Sequence, residues 1–435
     1  MTERKREVRI QVPVLTRVEG EGALDIAIHD QEITELRLRI FEPPRLFEKF
    51  LEGRDYQEVP DLVARICGIC PVAYQMSAAQ ALENAFAVKV PAAVHEWRRL
   101  FYCGEWLQSH ALHIHLLAAP DFLGFNSVTE MAGKYPDEVR RGLRLQTLGN
   151  DIMELLGARS VHPVGARIGG FHSLPTAEKY APLLQRLRDA HDEARALVLW
   201  TAGLPLPDDE QDFCSVALHD RAGYGMYGDR LISSEGLNIA IDEYPQHFSE
   251  FQVPYSTALH GGLHGRPYLV GPLARLNLNA ARLPRGVQEV IEASGVCFPS
   301  RNMFHSIVAR AVEVLFAVQE ATRILAAAPA VDVPYVEIRP RAGAGVGCTE
   351  APRGILWHRY ETGDDGRIRS ARIVPPTSQN QARIEQDLRN ALQAFGLDRD
   401  EPALRLHAET VIRNYDPCIS CATHFLRLNI KRSPT

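Results

Sequence analysis

Features that mark several special classes of protein are missing from these 435 residues. No stretch approaches the roughly 18 uninterrupted apolar residues that a membrane-spanning helix needs. The N-terminal sequence Met-Thr-Glu-Arg-Lys-Arg-Glu also lacks the apolar core of a secretory signal. We therefore predict a cytoplasmic protein with no membrane partner, with the one reservation that an enzyme subunit can be exported on a partner's signal.

Neither sign of charge is concentrated in one part of the chain. The 48 Lys and Arg residues are interspersed with 54 Asp and Glu residues, and the net charge is -6. A nucleic-acid-binding protein would show a basic patch, so nucleic acid is not expected as a partner. The sequence also contains no internal repeat, low-complexity tract or Ser/Gly-rich linker, which favours one large domain over residues 1–435.

Cysteine is scarce as well, with eight residues in the chain. This number is too small for a disulfide scaffold of this length, and thiols stay reduced in the cytoplasm, so we expect chemistry or metal binding. A dinucleotide-binding fingerprint is also missing. The glycine-rich sequence Gly343-Ala-Gly-Val-Gly347 lacks the last glycine of G-x-G-x-x-G and the βαβ unit around it.

The hydrophobic pattern changes along the chain from a period of two to a helical period. Apolar and polar residues alternate over about 8–41, which predicts a short antiparallel meander. From Pro60 onward the helical period predicts a helical core over about 60–330. The predicted helices are 60–87, 92–117, 136–157, 175–203, 286–296, 301–328 and 381–395. With an irregular or β-containing stretch at 335–375, the fold class is α+β: a predominantly helical bundle with a small N-terminal antiparallel sheet.

Two C-x-x-C units stand near opposite ends of the chain, Cys67-Gly-Ile-Cys70 and Cys418-Ile-Ser-Cys421. Two intervening residues let both sulfurs of a pair turn towards the same metal. Four thiolates form a soft, roughly tetrahedral donor set that suits zinc, an iron-sulfur cluster or nickel. Spacing alone therefore predicts a four-thiolate metal site. The remaining cysteines have no such spacing and are expected to be structural: Cys103, Cys214, Cys297 and Cys348.

Three other interpretations of the cysteine pairs compete with a catalytic metal site. Structural zinc sites usually have their two pairs within about 15 to 20 residues of each other, so the separation weakens a zinc assignment without excluding it. A thioredoxin-type redox pair would be single and would lie in a βαβ unit. Buried, inert cysteines would not be expected to show the same spacing twice.

The residues around both pairs resemble the two signature motifs of nickel-iron hydrogenase large subunits. These segments are Arg65-Ile-Cys-Gly-Ile-Cys-Pro71 and Asp416-Pro-Cys-Ile-Ser-Cys-Ala-Thr-His424. Further segments match the family in the same order: Thr16-Arg-Val-Glu-Gly-Glu-Gly22, Arg45-Leu-Phe-Glu-Lys49, His162-Pro163, Glu350-Ala-Pro-Arg-Gly354 and Pro376-Thr-Ser-Gln-Asn380. The resemblance therefore covers nearly the whole chain and implies the nickel-iron hydrogenase large-subunit fold.

The resemblance implies a nickel ion and an iron that carries carbon monoxide and cyanide, a Ni-Fe(CO)(CN)2 centre. By match, Cys70 and Cys421 bridge the two metals, whereas Cys67 and Cys418 bind nickel alone. Thiolates suit this task because they are soft, electron-donating ligands and because a terminal thiolate can accept a proton. The implied reaction is the reversible heterolytic cleavage of dihydrogen into protons and electrons.

Three residues beside the cysteines match catalytic positions of the family. Glu19 matches the proton-relay glutamate that takes a proton from a terminal cysteine, here Cys418. Arg353 matches an arginine suspended over the open metal position. Asp416 is expected to orient Arg353 through a charge-assisted hydrogen bond. The ordinary alternatives are a charged residue at a strand end for Glu19 and a salt bridge to Glu350 for Arg353.

Two residues match the ligands of a magnesium-like ion behind the active site in many family members. They are Glu48 and His424, and an oxygen-rich octahedral site would suit Mg²⁺. Glu48 lies among Lys49, Glu52 and Arg54, where an exposed helix face is the ordinary explanation.

A histidine-rich segment, Ser109-His-Ala-Leu-His-Ile-His115, looks at first like a metal cluster. We interpret His110, His113 and His115 as core histidines, because the family has a similar helix beneath its site. Many relatives place an aspartate just before the first of these histidines, and this chain has Ser109. One piece of the usual polar canopy is therefore altered.

Tyr74 replaces a histidine that many periplasmic, membrane-linked relatives carry four positions after the second cysteine. This departure resembles the cytoplasmic bidirectional branch, which couples hydrogen to NADP(H) or NAD(H) and includes members that also reduce sulfur. No further cysteine set for a cluster is available, so electrons must leave through a partner. The implied partners are a small iron-sulfur subunit and, beyond it, subunits with FAD and NAD(P).

The C-terminal segment, about 335–424, is expected to close over the metals, and eleven residues follow His424. Family members are made as precursors from which an endopeptidase removes this C-terminal peptide after nickel insertion. The tail at 425–435 is thus expected to be cleaved, although a retained tail is equally compatible with the sequence.

Two alternatives from other classes remain open at this point. One is a non-catalytic electron-transfer subunit similar to the respiratory complex I subunit that shares this fold, although that relative has lost the cysteine pairs. The other is a structural zinc protein that assembles a larger complex. The metal bound by the four cysteines would distinguish these functions.

Overall fold

The computed structural model describes residues 7–220, 223–327, 331 and 333–423. Its first element is the predicted meander, a three-stranded antiparallel sheet of β1 (Glu7–Val12), β2 (Gly22–His29) and β3 (Glu32–Ile40). Ile10 faces Ile26, and Leu24 faces Leu38 across the sheet. Apolar side chains on one face of each strand are buried against the helices, as the alternating pattern predicted.

Within the described ranges, four further antiparallel sheets follow along the chain. The strands are β4 (Ala166–Arg167), β5 (Gly170–Phe171), β6 (Val216–His219), β7 (Arg230–Ser233), β8 (Asn238–Ala240), β9 (Phe248–Gln252), β10 (Leu259–Leu263), β11 (Gly343–Ala351), β12 (Gly354–Thr362) and β13 (Ile368–Val374). The meander β11–β13 fulfils the prediction of β structure at 335–375. Strands β4 to β10 were not predicted; they lie between predicted helices, in segments of the helical core that we interpreted as loops.

Helices predominate in the described residues, which confirms the α+β class. They are α1 (Phe47–Leu51), α2 (Val59–Val63), α3 (Pro71–Phe86), α4 (Ala92–Leu112), α5 (Ala119–Phe122), α6 (Val128–Ala132), α7 (Pro136–Gly157), α8 (Ala177–Asp189), α9 (His191–Ala202), α10 (Tyr244–His247), α11 (Pro272–Asn279), α12 (Arg285–Ser294), α13 (Ser306–Ala327), α14 (Pro376–Phe395), α15 (Glu401–Asn414) and α16 (Ile419–Ala422). A π-helical segment, His113–Ala118, continues α4.

Two predicted helices are each divided in the structure. The predicted helix 60–87 is α2 and α3 separated by the loop that holds the first cysteine pair, and Pro71 opens α3. Proline is favoured at the start of a helix because the amide hydrogen that it lacks would be unpaired there. The predicted helix 175–203 is α8 and α9, which meet at Ala190. Helix α15 was not predicted.

Helix α13 forms the centre of the core. Nearly all of its side chains from Ser306 to Leu325 are buried, so it is apolar around most of its circumference. A helix with that character belongs inside a large domain rather than on its surface. Its two fully buried charges, Arg310 and Glu313, must therefore find partners inside the protein.

The glycines of β11 allow this strand to lie directly on α3, the helix that follows the first cysteine pair. A Cβ atom on Gly345 would lie 2.0 Å from the carbonyl oxygen of Ala81, and one on Gly347 would lie 2.2 Å from that of Ser77. Since alternate residues share one face of a strand, both glycines face the helix. The glycine-rich segment is thus a packing element.

Among the described helices, none combines the length and the apolar character that are needed to cross a membrane.

Replacing Gly345 by Ala should lower the free energy of unfolding by about 3 kcal/mol, because the new methyl group must displace the backbone of α3. The matched control is Gly286 to Ala, where the nearest atom to a new Cβ is 3.7 Å away. That control should leave stability unchanged or slightly raised. Denaturant unfolding of both variants measures the difference, and equal stabilities would contradict the close packing of β11 on α3.

Candidate metal centre

The structure brings the two predicted cysteine pairs together in one buried cluster. The four sulfur atoms lie within 4.8 Å of one another. The Sγ atoms of Cys67 and Cys418 are 3.3 Å apart, and those of Cys70 and Cys421 are 3.7 Å apart. All four cysteines are free thiols. Each pair therefore faces the other across a small space surrounded by sulfur.

The first pair is positioned by a loop that ends at the N-terminus of α3. The Cys67 sulfur accepts hydrogen bonds from the amides of Ile69 and Cys70, which turns the loop back on itself. Glu105, from α4, accepts hydrogen bonds from the amides of Val72 and Ala73 at 2.6 and 3.1 Å. This carboxylate caps the helix from outside, since the side chain of Cys70 points into the sulfur cluster.

Arg45 connects the two cysteine loops. Its guanidinium donates to the carbonyl of Ile66, at 2.5 Å, and to the carbonyl of Ser420. The amide of Cys418 is held by the hydroxyl of Thr377 at 3.0 Å, at the start of α14. Two of the segments singled out in the sequence, those beginning at Arg45 and Pro376, therefore serve to hold the cysteine loops in place.

The electrostatics of the cluster favour a bound cation. Hydrogen bonds from the thiols of Cys418 and Cys421 lower the pKa of Cys67 well below its usual value. Burial and the neighbouring sulfurs of Cys421 and Cys67 raise the pKa of Cys418. Four buried thiols that crowd together cannot all ionise without a compensating charge. A metal cation provides that charge and turns all of them into thiolate ligands.

The donor set fits a thiolate-bound metal centre. Two sulfur ligands of one ion, each at about 2.3 Å, can be at most about 4.6 Å apart, close to the span of this cluster. Within the described ranges, these four cysteines are the only group of three or more His, Cys, Asp or Glu side chains arranged to hold a metal ion. Soft sulfur donors favour nickel, iron or zinc over magnesium or calcium.

Glu19 lies beside the second cysteine pair. Its Oε2 atom accepts hydrogen bonds from the thiol of Cys418 and from the amide of Ser420, both at 3.1 Å. Its backbone carbonyl also accepts a hydrogen bond from the amide of Ile419, at 3.0 Å. The half-buried Glu19 is therefore fixed to the C-terminal motif by both its main chain and its side chain.

Arg353 is held by Asp416 rather than by Glu350. Its Nε atom donates to the carbonyl of Asp416 at 2.7 Å, and its Nη2 atom donates to the carboxylate at 2.9 Å. Glu350 instead pairs with Arg275 at 2.8 Å, so the alternative salt bridge is wrong. Despite burial, Asp416 and the cysteine sulfurs hold the pKa of Arg353 well above its usual value, and its Nη1 atom has no hydrogen-bond partner among the described residues.

A buried polar network that was not predicted continues from Asp416 into the core. The Nη1 atom of Arg310 lies 3.4 Å from both the Asp416 carboxylate and Nδ1 of His110. The Nε2 atom of His110 lies 2.9 Å from Glu313, which also binds Arg275 through both carboxylate oxygens. The sequence signal for this network is the pair Arg310 and Glu313 in the first, mostly apolar half of α13, but such a signal does not identify their partners.

The three histidines of the 109–115 segment point in different directions. His110 contacts Glu313, His113 contacts the carbonyl of Arg413 at 2.8 Å, and His115 donates to the carbonyl of Ala111 at 3.0 Å. Burial lowers the pKa of His110 to about 4 and the pKa values of His113 and His115 to about 3. They are neutral core residues, as the sequence indicated.

Tyr74 lies on the first turn of α3 and is completely buried. Burial and the sulfurs of Cys421, Cys70 and Cys418 raise the pKa of its hydroxyl well above the usual value. The phenol is therefore a neutral neighbour of the sulfur cluster. Tyr74 is the residue that was expected, from the sequence, to distinguish this chain from membrane-linked members of the family that it resembles.

Of the two predicted magnesium ligands, Glu48 lies within the described residues. Glu48 lies on α1, and its carboxylate accepts a hydrogen bond from the amide of Ile373 at 2.7 Å. This contact turns it towards β13 instead of leaving it on an exposed helix face. His424 and the predicted tail at 425–435 lie outside the described residues.

The fold and the four-sulfur cluster define a protein with a site suited to a thiolate-bound metal. Comparisons with known proteins identify its family. A nickel-dependent hydrogenase family profile matches residues 45–151 and 239–424. The chain is 34% identical over 423 residues to the sulfhydrogenase 1 subunit alpha of Pyrococcus furiosus, covering 96% of this chain and 98% of that one. The chain therefore belongs to the nickel-dependent hydrogenase family, as a catalytic large subunit.

Other relatives and solved structures agree with this assignment. The NAD-reducing hydrogenase HoxS subunit beta of Cupriavidus necator is 28% identical, with 96% of this chain and 95% of that one covered. A solved NAD+-reducing [NiFe]-hydrogenase in the H2-reduced state has a TM-score of 0.86 at 30% identity, covering 96% of this chain and 99% of that one. The predicted fold and family are thereby confirmed.

Lowering the pH from 7 to 5 should destabilise the protein, and replacing His115 by Gln should reduce this loss. An unfolded histidine has a pKa of about 6.5, so it is protonated at pH 5, whereas the buried His115 stays neutral down to a pKa of about 3. At pH 5 this one histidine therefore lowers the free energy of unfolding by about 2 kcal/mol.

Denaturant unfolding at both pH values measures this effect as a difference within each variant. The substitution also removes packing, because His115 stacks on Trp200 with ring centroids 5.7 Å apart. This loss of stability is the same at both pH values, so it cancels when the two are subtracted. The exposed His172, replaced by Gln, is the control and should keep the wild-type difference. If the His115→Gln variant loses as much stability between pH 7 and pH 5 as the wild type does, His115 is already protonated in the folded protein at pH 5.

Proposed function

We propose that this subunit catalyses the reversible heterolytic cleavage of dihydrogen within a cytoplasmic, heteromeric nickel-iron hydrogenase that exchanges electrons with NAD(P). The single observation that carries this proposal is the buried set of four sulfurs with a carboxylate at 3.1 Å from one of them. A metal bound by the sulfurs and a proton acceptor beside them are the two groups that this reaction needs.

Cys67, Cys70, Cys418 and Cys421 would hold the Ni-Fe(CO)(CN)2 centre. By the match to the family motifs, Cys70 and Cys421 would be shared by the two metals, and Cys67 and Cys418 would bind nickel alone. When bound, the centre supplies Lewis-acidic metal positions at which dihydrogen is polarised and split. Burial of the four sulfurs excludes water, which strengthens their interaction with the metals.

Glu19 would receive the proton from Cys418. Its Oε2 atom is already at hydrogen-bonding distance from this sulfur, so transfer needs no movement of the main chain. The amide of Ser420, at 3.1 Å, and the backbone contact to Ile419 fix the carboxylate in this place. Because Glu19 is half-buried, it can pass the proton on towards solvent.

Arg353 would act above the cysteine cluster as a fixed positive charge. Asp416 occupies two of its donors, and Nη1 is left without a partner in the described part of the chain. A buried guanidinium with a free donor can polarise a bound substrate or hold a cyanide ligand by hydrogen bonding. Asp416 thus sets the orientation of the donor that remains.

Electrons would leave through a small iron-sulfur subunit. Outside the four clustered cysteines, the described residues offer no second group able to hold a metal. Exposed apolar side chains stand next in the sequence to residues that contact the cysteine loops: Leu46 follows Arg45, and Val161 precedes His162. Neighbouring residues touch these loops directly, since Arg45 binds both of them and the imidazole of His162 bonds to the carbonyl of Ala64. Such a surface suits a protein partner.

Further subunits with FAD and NAD(P) would complete the electron path. Support comes from the NAD-reducing HoxS relative and from the solved NAD+-reducing structure. The sulfhydrogenase relative indicates that sulfur reduction belongs among the activities to be tested. We also propose a Mg²⁺ site at Glu48 and His424, and removal of the 425–435 tail by a maturation endopeptidase.

Anaerobic purification of the whole complex, followed by metal analysis and infrared spectroscopy, tests the central proposal. We expect equal nickel and iron, together with sharp carbon monoxide and cyanide bands. Replacing Cys418 by Ser should abolish hydrogen turnover while the fold is kept, because a hydroxyl is a poor ligand for a soft metal. The control is Cys297 to Ser, at an exposed cysteine outside the cluster, which should behave as wild type.

Zinc without these infrared bands would make the protein a structural zinc subunit. A complex that lacks metal altogether would favour the non-catalytic, complex I-like electron-transfer subunit. In the same preparation, hydrogen-dependent reduction of NAD+, NADP+ or sulfur identifies the acceptor.

Replacing Glu19 by Gln should slow hydrogen turnover by about a hundredfold, because an amide cannot accept the proton from Cys418. Metal content and infrared bands should stay close to wild type, since Gln has nearly the same shape and its oxygen can still accept from Ser420. Glu21 to Gln, at an exposed carboxylate two residues along the same loop, is the matched control. Full activity of the Glu19→Gln variant would exclude the assigned proton acceptor.

A further inference from the structure

Asp416 is shared by two buried arginines. Arg353 makes two hydrogen bonds to it, of 2.7 and 2.9 Å, whereas Arg310 reaches its second carboxylate oxygen at 3.4 Å. All three side chains are at most 3% exposed. One carboxylate therefore faces two guanidinium groups in a place where water cannot screen them.

The other groups around Arg310 do not balance its charge. Its remaining hydrogen bonds go to His110, which is neutral, and to the carbonyl of Tyr415, both at 3.4 Å. Its Nε atom has no hydrogen-bond partner within the described ranges. Glu313, one turn along α13, is already bound through both oxygens by Arg275. The positive charge of Arg310 is thus only partly compensated.

A small cavity connects the two arginines with Asn414. It has a volume of about 20 Å³ and is otherwise lined largely by apolar side chains, including Phe213 and Leu273. The Oδ1 atom of Asn414 is buried and has no hydrogen-bond partner in the described part of the chain, while its amide donates to the carbonyl of Met303 at 2.9 Å. A neutral amide therefore stands on the wall of this cavity at a position where a carboxylate of the same shape could be placed.

We propose that Arg310 is a positioning residue that raises the reduction potential of the metal centre held by the four cysteines. It does so because its positive charge and that of Arg353 are balanced by one carboxylate, Asp416. The inference rests on the proposed function. It follows because a fixed positive charge in a medium of low dielectric stabilises the more electron-rich state of a nearby metal. Arg310 acts through Asp416 and Arg353 and does not itself contact a cysteine.

The test is a redox titration of the assembled complex, followed by its carbon monoxide and cyanide infrared bands. Arg310→Met removes the charge, Arg310→Lys keeps it, and Asn414→Asp adds a compensating carboxylate of the same shape while Arg310 stays in place. Arg323→Met is the control, since Arg323 lies on the same helix but is half-exposed and pairs with Glu96 and Glu320. All four variants can be compared by potential and spectrum without measuring turnover.

We expect a lower midpoint potential and bands at lower wavenumber for Arg310→Met and Asn414→Asp, because less positive charge leaves more electron density on iron. Arg310→Lys should lie nearer to wild type, and Arg323→Met should match it. If the complex with Arg310→Met does not assemble, the potential and the infrared bands of the Asn414→Asp complex test the proposal on their own. If the assembled variants have the potentials and bands of the wild type, Arg310 has only a packing role. Missing bands in the unmodified complex would instead reject the proposed metal centre, and the inference with it.

Discussion

The rest of the structure depends on holding four thiol sulfurs from opposite ends of the chain in one buried space. Crowding them is unfavourable until a cation is present, because each ionised sulfur opposes the ionisation of its neighbours. The fold meets this demand in part with hydrogen bonds between groups other than the sulfurs. Arg45 joins the carbonyls of Ile66 and Ser420, and the main chain of Glu19 pairs with that of Ile419. The geometry of the site is therefore set by its surroundings.

Local signals in the sequence predicted the parts of the protein that local physics determines. Alternation gave the N-terminal meander, and the paired C-x-x-C spacing gave the four sulfurs of the cluster. The division of the predicted helix 60–87 could not be recognised, because apolar residues continue through the loop that carries Cys67 and Cys70. Strands β6 to β8 are only three or four residues long, which is too short for a period to be recognised.

The polar groups that surround the cluster depend on tertiary contacts and were therefore missed. Glu105 caps α3 from another helix, and its sequence neighbours give no indication of that partner. Arg310 and Glu313 stand out as charges in the mostly apolar first half of α13. This pattern predicts that they are buried and paired, but it does not identify their partners. Asp416 and Arg353 were assigned through the family motifs alone. Their link to α13 became visible only in three dimensions.

The contact between Glu19 and Cys418 also has a consequence for the order of folding. These residues are 399 positions apart, so their pairing closes nearly the entire polypeptide into one loop. Contacts of such long range form late, since the chain entropy must be paid before they contribute. The half-site of Cys67 and Cys70, already capped by Glu105, can be ordered before the C-terminal half arrives. A partly folded chain would thus expose the two sulfurs of the first pair to an incoming metal ion. Docking of the second pair would then enclose that metal.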